Sequence, residues 1–378
     1  MNPALAGIAP SLIRALHARK RPGDVDFSLG EPTLRPDPRP FEAATAWVRE
    51  NGCPYTPNAG TGELREAIAA YHGFPSMGAA ASVCVTVGSE EAIYLAIKTL
   101  LDPAADECLV VEPAYLAYPK LAALEGVRTR AVALDGADGF RPTAAAVLDA
   151  LRPETRLVVL ASPCNPTGRI WPAEELRALA DGLAARPGEP VWVLSDEVYR
   201  ELYYTDAPPV SIASLYPHTL VAGSLSKSNA LTGLRLGWLI GPGDVIAQAV
   251  KVHALVNTAA STFADRVAVE LFRDPASLGA HRPLYAERRG MLLEMLRASD
   301  VAHVEPEGAF YCMVRLPGRL ADDSLAAAER LLDEKRVIAV PGTAFGPAGE
   351  GWLRLSWVAS AQDLTRGIER IGDFFAGR

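Results

Sequence analysis

The stretch GSLSKSNALTGLRLGW, residues 223–238, decides how the rest of the chain is read. An apolar run from Thr219 to Leu225 ends in Ser226-Lys227. A polar turn follows, then Gly233, Arg235 and a second apolar run. A lysine where a buried strand runs out needs an explanation, because lysine is almost never fully buried unless something pairs with it. The partner has to come from elsewhere in the chain.

From residue 83 to 241, short apolar β-branched runs alternate with stretches of helical period. Strands are predicted at Val83–Val87, Cys108–Glu112, Thr129–Leu134, Leu157–Ala161, Val191–Ser195, Leu220–Leu225 and Gly237–Ile240. Helices are predicted at Glu90–Leu101, Leu116–Leu124, Pro142–Leu151 and Pro172–Ala185. Continuous apolar strands separated by helices imply an α/β fold, with a mostly parallel sheet sandwiched by helices. In such sheets ligands bind beyond the carboxyl ends of the strands. Five of the predicted strand ends deliver polar residues there: Gly88-Ser89-Glu90, Glu112-Pro113-Ala114-Tyr115, Ser162-Pro163-Cys164-Asn165, Ser195-Asp196-Glu197-Val198-Tyr199 and Ser224–Lys227.

Beyond residue 275 the character changes. Helical patterns at Pro283–Ser299 and Ser324–Lys335 flank short strands near Phe310–Arg315 and Trp352–Ser356. The expected organisation is a large domain at 41–275 and a smaller α/β domain at 276–378. Residues 1–40 form an arm that joins the small domain, and Leu5, Ile8, Leu12, Ile13 and Leu16 give the arm an amphipathic helical period.

The 378 residues exceed one typical domain, and 49% hydrophobic with 22% charged residues fits a globular protein with a large core. The net charge of −8 excludes nucleic acid as the expected partner, and no basic block extends beyond Arg19-Lys20-Arg21. The five cysteines are scattered without CxxC spacing, which argues against a disulfide frame or metal site and for a reducing compartment. The uncharged run Ala67–Ser89 is long enough to cross a membrane. It is broken by His72, Gly73, Pro75, Ser76 and Gly78, so it reads as a helix end, a loop and a strand. A cytoplasmic location is expected, with no membrane partner.

A single lysine at such a crevice serves either as a Schiff-base nucleophile or as a general base. Ser224-Leu225-Ser226-Lys227 matches Ser-x-x-Lys, the signature of one serine-hydrolase group, but that group's Ser-Asp-Asn and Lys-Thr-Gly strings are absent. A pyridoxal phosphate (PLP) site explains more. It needs a lysine for the aldehyde, an acid for the pyridine nitrogen, donors to the phenolate oxygen, an anion pocket and an aromatic plane. The strand ends can supply each of these. Gly88-Ser89 opens a helix whose free N–H groups and dipole suit a phosphate, and Ser224 and Arg235 can add charge-assisted hydrogen bonds.

The chain resembles the class I/II aminotransferases, PLP-dependent enzymes of fold type I similar to aspartate aminotransferase. The matching motifs, in order, are SLGEPT (28–33), YTPNAGTGELREAIAAY (55–71), VTVGSEEAI (85–93), EPAYLAYP (112–119), SPCNPTG (162–168), SDEVYREL (195–202), SLSKSNALTGLRLGW (224–238), EGAFY (307–311) and VPGTAFG…GWLRLS (340–356). The resemblance implies a ping-pong transfer of an amino group from an amino acid to a 2-oxo acid. It gives Lys227 the Schiff base with the cofactor and the proton transfer at Cα, and Asp196 the pyridine nitrogen. Asn165 and Tyr199 would bond the phenolate oxygen, and Tyr115 would stack on the ring. The phosphate would be held by Ser89 and Glu90 through backbone N–H groups, by Ser224 and Arg235, and by Tyr55 of a second subunit, which implies a homodimer. Arg354, with backbone help from Gly30, would clamp the substrate α-carboxylate, next to Asn165.

The sequence departs from the family pattern at Glu90, at Cys164, where asparagine is common, and at Leu34-Arg35. Arg35 lies in a loop expected to face the substrate. The alternatives within fold type I are a C–S β-lyase, a cyclopropane-forming synthase or a decarboxylase, which would share Lys227, Asp196 and Arg354. A transcription regulator built on the same domain needs a basic winged-helix segment, and residues 1–27 hold none.

Overall fold

The computed structural model of the chain describes residues 8, 10–74, 77 and 79–378. Among the described residues twelve strands form three sheets. The largest has seven: β2 (Val83–Thr86), β3 (Glu107–Glu112), β4 (Arg128–Ala133), β5 (Thr155–Ala161), β6 (Trp192–Asp196), β7 (Thr219–Ser224) and β8 (Gly237–Ile240), in spatial order β2-β8-β7-β6-β5-β3-β4. Only β8 runs against its neighbours; the others are parallel. β1 (Val25–Asp26) pairs in parallel with β10 (Val337–Ile338). β11 (Val340–Pro341), β12 (Trp352–Ser356) and β9 (Tyr311–Arg315) form an antiparallel sheet with β12 in the middle.

The seven-stranded sheet is covered on both faces, which is why its strands read as unbroken apolar runs rather than as an alternating pattern. Successive residues of β5 point to opposite sides. Leu157 and Val159 pack under helix Ser89–Leu100 with Ile93, Ala96 and Ile97. Val158 and Leu160 pack on the other face against Leu176, Leu179 and Leu183 of helix Ala173–Ala184. A separate core joins Leu16, Val25 and Phe27 from the start of the chain to Leu296, Leu331, Leu353, Ile368 and Phe374. It also takes in Tyr199 and Leu202, which follow β6 at the centre of the large sheet.

The predicted elements recur within one or two residues. β8, β12 and helix Ser324–Lys335 match their predicted bounds. The helix predicted from Pro142 starts at Ala144, because Thr143 is extended and caps it, accepting from Ala146 N at 3.3 Å. Helix Leu12–Ala18 covers the latter part of the expected arm, while Leu5 lies outside the described residues. Ala67–Ser89 contains the end of helix Gly62–His72 and strand β2; Pro75, Ser76 and Gly78 lie outside the described residues. Helices Gly243–Val256, Thr262–Arg273 and Ala361–Phe375 were not anticipated. Among the described residues no helix is long and apolar enough to cross a membrane, and no cluster of side chains could hold a metal ion.

Candidate active site

Sheet register brings the site together. Ala161, Asp196 and Ala222 stand abreast at the ends of β5, β6 and β7. Asn165 and Lys227 follow on the turns just beyond, so the carboxylate, the amide and the amine converge above one sheet edge. The half-buried Lys227 donates from Nζ to Gly30 O at 2.7 Å. Burial, followed by the positive charge of Arg354, pushes its amine down to about 8. An amine less basic than usual is a nucleophile over more of the neutral pH range.

Asp196 is 5% exposed. Burial pushes its carboxyl up to about 6, opposed chiefly by a hydrogen bond from Tyr118 Oη to Oδ2 at 2.6 Å and one from Val198 N to Oδ1 at 3.2 Å. The sequence reading had no task for the Tyr118 hydroxyl. Tyr115 is half-buried, its ring edge-on to that of Tyr118 with centroids 5.7 Å apart.

Arg354 occupies the middle strand of the β11-β12-β9 sheet, paired with Val340 and Met313, and is 2% exposed. Its pairing on both sides and its burial exclude a surface position. Its guanidinium lies between the rings of Tyr311 (4.2 Å) and Phe345 (4.9 Å). Nη1 donates to Asn165 Oδ1 at 3.0 Å and Nη2 donates to Ser28 O, while the buried Nε has no partner among the described residues. A buried donor without a partner is costly, and here it points to a ligand acceptor. Tyr311 Oη also meets Tyr199 Oη at 2.9 Å, which ties Tyr199 to the Arg354 shelf. Tyr311 is a site residue that the EGAFY motif carried without revealing its contacts.

Gly30 is forced by this packing. A Cβ there would stand 1.6 Å from Tyr311 Oη and 2.8 Å from its Cζ. Tyr311 is wedged between Arg354 and Tyr199 and cannot swing away cheaply. Gly30→Ala should therefore displace Arg354 and lower kcat/KM by about 100-fold, with a stability loss of about 1–3 kcal/mol. Steady-state kinetics and thermal melts check this.

The groups expected to bind an anion lie at the start of helix Ser89–Leu100. Gly88 holds φ +80, and a Cβ there would lie 2.4 Å from Arg235 Nη2, so that guanidinium rests on the helix start. Among the described residues Arg235 makes no ion pair; its Nη1 donates to Thr232 O at 3.0 Å. Ser224 Oγ bonds Ser226 Oγ and Leu236 O, both at 2.8 Å, which fixes the turn before Lys227. The donor set fits a phosphate: free helix N–H groups, a guanidinium without an anion and a hydroxyl-rich turn. Glu90 is exposed beside this start, within electrostatic reach of Tyr115. Cys164 donates weakly to Pro113 O.

Two predicted residues stand apart. Tyr55 is 85% exposed and touches none of the groups above, and Arg35 is exposed in its loop.

Comparison with known proteins bears on what such a site does. The model of the family "Aminotransferase class I and II" matches residues 25–371. The chain is 33% identical over 373 residues to an aspartate aminotransferase of Pyrococcus horikoshii, covering 96% of this chain and 94% of that one. It is 35% identical to a probable N-acetyl-LL-diaminopimelate aminotransferase of Bacillus subtilis, over 92% and 88% of the two chains. The structure of Thermus thermophilus aspartate aminotransferase with maleate superposes with a TM-score of 0.91 at 32% identity, covering 98% of each chain. With sequence, fold and site agreeing, the chain belongs to the class I and II aminotransferases and is a transaminase.

Proposed function

We propose that this transaminase uses PLP at the β5–β7 strand ends, with Lys227 as the residue that captures the cofactor aldehyde. The observation that carries the proposal is the pairing of a half-buried amine of lowered basicity with a buried carboxylate beyond adjacent strands. When bound, the cofactor supplies an aldehyde that takes up the amino group and a ring that accepts the electrons released at Cα. Asp196 keeps a proton on the ring nitrogen. Asn165 and Tyr199 hold the phenolate oxygen, and Tyr115 covers the ring. Ser89 and Glu90 backbone N–H groups, Ser224 and Arg235 hold the phosphate.

Arg354 orients the amino acid through its α-carboxylate, with Nε as the free donor, and Gly30 O lies beside the Lys227 amine. Lys227 Nζ then moves the Cα proton. The smaller body, residues 1–40 with 276–378, carries Arg354 over the larger one, 41–275, which carries Lys227. The exposed Tyr55 (85%), Leu255 (88%) and Val256 (58%) support a homodimer in which Tyr55 reaches the partner's phosphate pocket.

The test is pH-resolved capture. Apoprotein mixed with PLP should bind it at a rate that rises about tenfold per pH unit and levels off above pH 8, as the amine loses its proton. Adding an amino acid should then yield pyridoxamine phosphate and the matching 2-oxo acid. A protein that captures PLP but forms no pyridoxamine phosphate with any of the common amino acids contradicts the proposal.

A further inference from the structure

Tyr118 is the buried group at this site with no task in amino-group transfer. Its hydroxyl donates to Asp196 Oδ2 at 2.6 Å, and the two side chains are 2% and 5% exposed. Helix Ala117–Leu124 holds the ring in the sheet's helix-covered face, with Leu194 and Ala122 in the same core. Among the described residues its one aromatic ring contact is Tyr115. A buried tyrosine hydroxyl usually finds a hydrogen-bond partner, and that of Tyr216 takes a backbone carbonyl, Val191 O, at 2.9 Å. Tyr118 instead spends its one donor on a carboxylate oxygen of the site.

We propose that Tyr118 is a positioning residue whose hydroxyl locks the Asp196 carboxylate in the orientation and charge state that a protonated ring nitrogen requires. It thereby sets cofactor affinity and the acidity of the bound chromophore. The proposal rests on the assignment of Asp196 to the ring nitrogen.

A buried carboxylate neutralises unless donors hold it ionised. Oδ1 has one donor, Val198 N, from its own strand end, and Oδ2 has Tyr118. The other titratable groups facing Asp196 are Glu197 on the same strand end, Lys227 from the β7 turn, Cys164 from the 162–168 turn, and Tyr115 and Tyr199. None of these is a hydrogen-bond donor to it. Without the Tyr118 hydroxyl the carboxylate becomes the stronger base and draws the proton off the ring nitrogen. A ring carrying less positive charge releases the chromophore's remaining proton less readily.

The experiment compares holoenzymes of wild type, Tyr118→Phe and Tyr216→Phe, with Asp196→Asn and the Asp196→Asn/Tyr118→Phe double variant. The readouts are the PLP dissociation constant from absorbance titration and the pH midpoint of the bound cofactor's absorbance change. A hydrogen bond to a charged group is worth about a power of ten in an equilibrium. Tyr118→Phe should weaken PLP about tenfold and raise the midpoint by about one pH unit, while the KM for the amino acid changes less than about twofold. Tyr216→Phe, which removes an equally buried hydroxyl, should move neither readout. In the Asp196→Asn background Tyr118→Phe should add nothing. Wild-type values in a PLP-binding Tyr118→Phe variant, or an equal effect with asparagine at 196, overturn the proposal alone. A wild-type protein that takes up no PLP overturns the cofactor reading and this proposal with it.

Discussion

Lys227→Ala should lower kcat by at least about 10⁴-fold while leaving the fold intact. On the proposed function the substitution removes both the nucleophile and the base that moves the Cα proton, and positioned proton transfer alone accounts for about 10²–10⁴-fold. The structural cost is small, because the side chain makes one hydrogen bond, to Gly30 O. There is even an opposing gain. The native state lowers the amine from 10.5 to about 8, so the charged form disfavours folding at every pH below 8, and this penalty fades only as pH rises from 8 toward the unfolded value. At pH 7 the variant should therefore melt no lower than the wild-type apoprotein. Single-turnover kinetics and thermal melts of apoproteins measure the two effects. Retained turnover would remove Lys227 from the chemistry.

Arg354→Lys should lower kcat/KM for amino acids by roughly two orders of magnitude, about 3 kcal/mol, largely through KM. Lysine keeps the charge but cannot reproduce the planar fork that reaches Asn165 Oδ1 and Ser28 O while presenting Nε to a ligand. It also gives up the stacking between Tyr311 and Phe345. Binding of PLP itself should change little, since the role proposed for Arg354 is at the substrate carboxylate and not at the cofactor. An unchanged KM would mean that the substrate carboxylate docks elsewhere.

What was readable in the sequence follows from which interactions are local. Buried parallel strands announce themselves as apolar runs, and the residue after each run falls at the crevice. Lys227, Asp196 and Asn165 could be placed from order alone. Arg354 could not: WLRLS fits an edge strand as well as a central one, and only pairing on both sides by β9 and β11 buries it. Tyr118 and Tyr311 were hidden for a similar reason. An aromatic in YLAYP or GAFY looks like core, and their hydroxyl partners, Asp196 and Tyr199, lie 78 and 112 residues away. Helix Thr262–Arg273 went unread although its signals are local: Ser261 caps it, accepting from Ala264 N, and Val267, Ala268 and Leu271 recur at helical spacing. The role of Tyr55 needs a second chain, which no single-chain pattern encodes.

The chain has six lysines, Lys20, Lys98, Lys120, Lys227, Lys251 and Lys335, so the central claim can be tested at one residue. PLP-saturated protein is reduced with borohydride, digested, and mapped by mass spectrometry. The account predicts one phosphopyridoxyl group per chain, on the peptide containing Lys227, and a yellow protein bleached by the treatment. A colourless protein, or a label spread over the other five lysines with Lys227 unmodified, would contradict it.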